Sequence, residues 1–137
     1  VFLTTKTVLP WMMEAKKGAI VNVASVVGLK GVAYMSAYGA AKAGLINFSR
    51  ATAVEAAPHV RVNCIIPGAV LTPATERAIP AKEMMEQTIK TIPLKRIAQP
   101  IEIANPIVFL LSSKSSFITG ASLVVDGGKT GDLNAGN

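Results

Sequence analysis

The 137-residue chain is half hydrophobic, poor in aromatic side chains and carries a net charge of +6, a size and make-up that support one modest core rather than two domains. No apolar run approaches the roughly eighteen residues of a membrane span, and the first residues do not read as a secretory signal, so a cytoplasmic protein without a membrane partner is expected. The basic excess is spread over Lys6, Lys16, Lys17, Lys30, Arg50 and Arg61 with no interleaved aromatic platform, which predicts solvated charges and no nucleic-acid partner.

Val1 to Lys17 has helical spacing, with Phe2, Leu3, Val8, Leu9 and Met12 or Met13 on an apolar stripe. Pro10 removes a backbone donor and is expected to bend this helix, and Gly18 to take the left-handed position that ends it. Ala19–Ala24 is an apolar run read as a buried strand, with Ser25 at its carboxyl end. Ala40 to Ala57 is a second helix, its stripe read as Ala41, Leu45, Phe48 and Ala51, stopped by Pro58. His59 precedes a strand, Val60–Ile66, inside which Cys64 reads as a small buried hydrophobe and not a nucleophile. With one histidine and one cysteine there is no histidine triad, no multi-histidine metal site and no internal disulfide.

Pro67–Gly68 forms a turn leading to Val70 and Thr72, followed by a stretch up to Pro93 with one helical segment, 81–90. Pro100 suits the first position of a helix running from Ile101 to Ser112, with Glu102 placed favourably in its first turn and Pro106 disrupting its interior. Ser122–Val125 is the last strand, Asp126-Gly-Gly128 a turn, and the chain from Lys129 is expected to fray. The three strands, alternating with helices, predict an α/β fold with a parallel sheet covered on both faces.

Tyr38 and Lys42 lie four apart near a helix start and therefore on one face, a turn apart. An ammonium group so placed favours the phenolate, and the helix N-terminus acts in the same direction. That makes Tyr38 a candidate proton donor and acceptor, with Ser25 a neutral hydroxyl aimed at the same place.

Ser25, with Tyr38 thirteen residues later and the Tyr-x-x-x-Lys spacing to Lys42, resembles the catalytic set of the short-chain dehydrogenase/reductase family. Pro67-Gly68-x-Val70-x-Thr72 and Asp126-Gly-Gly128 resemble two further motifs of that family in the same order. The resemblance runs from Val1 to about Lys129 and implies the end of a doubly wound, Rossmann-like sheet. It implies an oxidoreductase that moves a hydride between NAD or NADP and a secondary alcohol or ketone, the choice of nucleotide being undetermined. Ser25, Tyr38 and Lys42 would be catalytic, while Tyr38, Lys42, Pro67, Gly68, Val70 and Thr72 would contact the cofactor. It also implies a mobile substrate loop over Pro73–Pro93, and a homodimer or homotetramer in which the first helix and the Tyr38 helix meet a second subunit. Trp11 and the adjacent methionines suit that contact or a monomer's own core equally.

Neither the glycine-rich G-x-x-x-G-x-G turn nor the Asn-Asn-Ala-Gly stretch of the family occurs in the chain. Residues 1–137 are therefore expected to be the carboxy-terminal part of one nucleotide-binding domain, inactive by itself and poorly stable because Ala19–Ala24 lacks a partner on one side. Two other readings compete: a non-catalytic pairing module built on the same fold, and a relative that uses the same Tyr and Lys for epimerisation or dehydration. The latter ranks lowest, since such enzymes usually extend further past the third strand.

Overall fold

In the computed structural model, which describes residues 1–132, strand β2 (Val60–Pro67) lies between β1 (Gly18–Val23) and β3 (Ser122–Val125), both parallel to it. The register runs from Gly18↔Val60 to Val23↔Ile65 on one side and from Cys64↔Ser122 to Pro67↔Val125 on the other. All three strands thus finish at the same end of the sheet. Parallel strands need crossovers, supplied here by α2 (Ser36–Ala56) between β1 and β2, and by α3 (Pro73–Ala78), α4 (Lys82–Lys90) and α5 (Pro100–Leu111) between β2 and β3. Helix α1 (Phe2–Glu14) precedes β1.

Because strand side chains alternate between faces, β2 sorts its residues into two cores. Val60 and Val62 meet Ala53 and Ala56 of α2 and Leu9 and Met12 of α1, and Cys64 and Ile66 meet Ile46. On the opposite face Ile65 packs with Ile103 and Leu110 of α5. The predicted α/β sheet with helices on both faces is what the chain forms.

Several local expectations need correction. The left-handed residue that ends α1 is Lys16 (φ 51°) and not Gly18. The Lys16 N–H bonds to the Met13 carbonyl and the Lys17 N–H to that of Met12, the paired closure of a helix end. Gly18 is small for another reason: a Cβ there would lie 2.8 Å from Met12 Sδ. Helix α1 runs on through Pro10.

Helix α2 begins at Ser36, four residues earlier than read, and its buried face is Ile46, Ser49, Thr52, Ala53 and Ala56. Ala41 and Ala51, assigned to the core from their apolar character, are exposed. The two hydroxyl residues can be buried because Ser49 donates to the Leu45 carbonyl at 2.8 Å and Thr52 to that of Phe48 at 2.9 Å. Helix α3 was not foreseen.

Arg61 is no solvated surface charge. Its guanidinium donates to the carbonyls of Leu110 (2.8 Å) and Ser112 (3.1 Å) and to Ser115 Oγ (3.0 Å), closing the C-terminal end of α5 where the helix dipole is negative. Beside it the Asn63 amide donates to the Ile118 carbonyl and its oxygen accepts from the Ala121 N–H, tying the approach to β3 onto β2. Residues 129–131 form a turn held by Asp126 instead of fraying, and the rest of the expected tail, 133–137, lies outside the described residues.

Candidate active site

Past Val23 the chain leaves the sheet, and the Ala24 N–H makes the last ladder bond, to the Ile65 carbonyl at 2.8 Å. Ser25 caps the 3-10 turn Val26–Gly28, its Oγ accepting from the Val27 N–H at 3.3 Å. The Ser25 hydroxyl hydrogen has no acceptor among the described residues, so it is available to a bound oxygen.

This turn rests directly on α2. A Cβ on Gly28 would fall 2.8 Å from Ala43 N and from the carbonyl carbon of Lys42, and one on Gly39 would fall 3.2 Å from the Val27 oxygen. Glycine on both surfaces lets the two backbones touch. The contact is fastened by Lys42, whose Nζ donates to the Val23 carbonyl at 3.0 Å. Lys42 therefore links the Tyr38 helix to the end of the strand that carries Ser25. Its ammonium stands 5.5 Å from the centre of the Tyr38 ring. Tyr38 is the third residue of α2, partly exposed, and its hydroxyl bonds to no described residue. Of the three N–H donors of an ammonium, Lys42 commits one to Val23.

The second group of predicted residues lies at the same end of the sheet, beyond β2. Pro67 pairs with Val125, and the Gly68 N–H donates to the Val125 carbonyl at 3.0 Å. Gly68 is close-packed against the last turn, since a Cβ there would sit 2.8 Å from Asp126 Cβ. The Pro-Gly and Asp-Gly-Gly turns therefore lock together. Burial would raise the Asp126 pKa, but hydrogen bonds from the Thr130 hydroxyl and from the amides of Thr130, Gly128 and Lys129 outweigh it and hold the carboxyl below its ordinary value.

Val70 forms a parallel bridge with Ala98, made by the Ala69 carbonyl and the Leu71 N–H, so the N–H and C=O of Val70 itself point away from that pairing. Thr72 is the N-cap of α3, accepting from the Thr75 N–H at 3.2 Å, with Pro73 in the first helical position. Thr75 donates to the Val70 carbonyl at 2.6 Å and lies 3.1 Å from Thr72 Oγ1. Thr75 is the residue that motif reading missed, although Thr72-Pro73 is a legible helix start. Cys64 is fully buried and burial raises its pKa, which leaves it inert. Among the described residues no group of three or more His, Cys, Asp or Glu could hold a metal ion, and no helix is long and apolar enough to cross a membrane.

Residues 1–130 match the family described as enoyl-(acyl carrier protein) reductase, a branch of the short-chain enzymes. The chain belongs to the short-chain dehydrogenase/reductase family. Among relatives in that family it is 42% identical over 131 residues to a cyclopentanol dehydrogenase of Comamonas sp. (strain NCIMB 9872), a match covering 95% of this chain and 52% of that protein. The crystal structure of levodione reductase superimposes with a TM-score of 0.93 at 36% identity, over 96% of this chain and 54% of the other. A short-chain structure described as ElxO with NADP bound gives a TM-score of 0.88 at 30% identity, over 96% and 54%. The chain spans about half the length of the family members it matches.

Proposed function

We propose that this chain supplies the proton-transfer half of an NAD(P)-dependent oxidoreductase acting on a secondary alcohol or ketone, within a protein whose remaining length completes the nucleotide-binding domain. One observation carries the reading. The Lys42–Val23 bond and the Gly28 contact hold a Ser, a Tyr and a Lys around the carboxyl end of a parallel strand, where open α/β sheets bind their ligands.

The residues present fit a nicotinamide nucleotide. Lys42 has donors beyond its bond to Val23, and Val70 turns its N–H away from its own bridge. Lys42 would hold ribose hydroxyls, and Pro67, Gly68, Val70 and Thr72 would receive the nicotinamide end. When bound, the cofactor supplies or accepts the hydride. Ser25 donates its free hydroxyl hydrogen to the substrate oxygen and fixes its position. In the reducing direction Tyr38 gives its proton to that oxygen, and in the oxidising direction it takes the proton back. The Lys42 ammonium, fixed by its bond to Val23, stands beside the ring whose proton this exchange moves. The relative that acts on cyclopentanol, a secondary alcohol, supports the substrate class. Exposed Phe2, Leu3 and Trp11 on α1 and Val54 on α2 support self-association through these helices.

The test is Tyr38→Phe in the full-length protein. Loss of the hydroxyl should lower kcat by about a hundredfold or more, the usual worth of a positioned acid/base group, while NAD(P)H still binds. A variant with near-normal kcat would remove Tyr38 from the mechanism and favour the pairing module.

A further inference from the structure

The hydroxyls of Thr72 and Thr75 have a fixed polarity that bears on what Thr72 can bind. Thr75 Oγ1 lies 2.6 Å from the Val70 carbonyl oxygen, which can only accept, so the single Thr75 hydroxyl hydrogen is committed there. In the 3.1 Å contact between Thr75 Oγ1 and Thr72 Oγ1, the hydrogen must then come from Thr72. One lone pair of Thr72 Oγ1 already accepts from the Thr75 N–H. What remains on that oxygen is one lone pair and no hydrogen. An acceptor of that kind suits an amide N–H₂ and repels a phosphate oxygen, which offers only lone pairs.

We propose that Thr75 is a positioning residue: it turns the Thr72 hydroxyl inward, so that Thr72 faces the ligand as an acceptor and selects the carboxamide N–H₂ of the nicotinamide. Thr75 thereby also anchors the Val70 carbonyl, fixing both contacts of the nicotinamide end from one side chain. This rests on the cofactor role given above to Val70 and Thr72.

The full-length protein, with variants Thr75→Val and Thr75→Ser, is titrated with three probes of whichever phosphate series the unaltered protein prefers. These are the nicotinamide dinucleotide, its 3-acetylpyridine analogue, which has a methyl ketone and no N–H₂, and the matching adenosine diphosphoribose, which has no ring at all. The unaltered protein should favour nicotinamide over acetylpyridine by about tenfold, the worth of one net hydrogen bond. Thr75→Val should bring that ratio to within about twofold, because Thr72 is then free to present its hydrogen to the methyl ketone. Thr75→Ser should restore the ratio, and all three proteins should bind the ring-less nucleotide alike. A Thr75→Val protein that keeps the full preference overturns the proposal. So does one that loses ring-less nucleotide in the same proportion, since Thr75 would then only hold the fold. If the unaltered protein binds none of the probes in either series, the oxidoreductase reading itself fails, a result distinct from both.

Discussion

At the residue scale, the candidate site depends on glycines at two contacts as much as on its reactive side chains. Gly28 stands where any Cβ would press on the backbone of Lys42 and Ala43, atoms that cannot rotate away. Gly28→Ala is expected to lift the Ser25 turn from α2, with a stability loss of about 1–3 kcal/mol, as for other forced overpacking. The fall in kcat should be larger than that stability loss explains at temperatures where the variant is fully folded. Urea unfolding together with steady-state kinetics checks this, and a variant with normal stability and rate would mean that the turn is not held where it appears. Gly68 makes a comparable close approach, but to Asp126. Its size therefore serves the junction of two turns within the chain, whatever it also permits toward a cofactor.

At the element scale, α5 shows how charges complete a helix at both ends. Its N-terminus is closed by Glu102, which accepts from the Gln99 N–H at 2.8 Å and pairs with both terminal nitrogens of Arg96 at 2.6 Å. The Arg96 hydrogen bonds, followed by that from Gln99, bring the Glu102 pKa down to about 2. A folded-state pKa below the unfolded value of 4.5 contributes stability that is present above that value and fades as pH falls toward about 2. The gap in urea midpoint between the native protein and Glu102→Gln should therefore be constant near neutrality and narrow below about pH 4.5. A gap that stayed constant down to pH 3 would contradict it. The pair is solvent-accessible, so the gap should also shrink with added salt. At the other end Arg61 reaches across from β2 to the last carbonyls of α5. Arg61→Met, which keeps the stem and removes every donor, should cost about 2 kcal/mol or more, as expected for losing charge-assisted bonds to partly buried carbonyls. Thermal unfolding measures it. An unchanged Tm would mean that water replaces the guanidinium at no cost.

At the scale of the whole molecule, the sheet is unevenly covered. β2 is buried almost throughout, whereas β1 is only half-buried and ends in exposed Val23, and Leu123 and Val124 of β3 are also exposed. β1 pairs on one edge only among the described residues. An apolar, single-sided strand of this kind invites pairing with other chains. The 137-residue chain alone should therefore self-associate at micromolar concentration and melt without a sharp transition. The same residues within the full-length protein should remain dispersed and melt cooperatively. Light scattering and calorimetry on the two proteins compare them directly, and a sharply melting monomer from the shorter one would refute the expectation.

The sequence alone determined what is local and periodic. Strand positions followed from short apolar runs at Ala19–Ala24, Val60–Ile66 and Ser122–Val125, each matched to within a residue. The start of α5 at Pro100 followed from proline's fixed φ. That Tyr38 and Lys42 share one face of α2 was legible because helical spacing puts positions four apart on one side. Only the tertiary structure decided which face of α2 is buried, because alanines lie all round the helix and Ser49 and Thr52 become core residues by bonding back to their own backbone. Only it showed that Arg61 caps a helix forty-nine residues further along the chain, that Lys42 is tied to Val23, and that the Thr75 hydroxyl lies against both the Val70 carbonyl and the Thr72 hydroxyl. The first and second of these join residues distant in sequence, and all three depend on hydrogen-bond direction. A linear pattern carries no information about either.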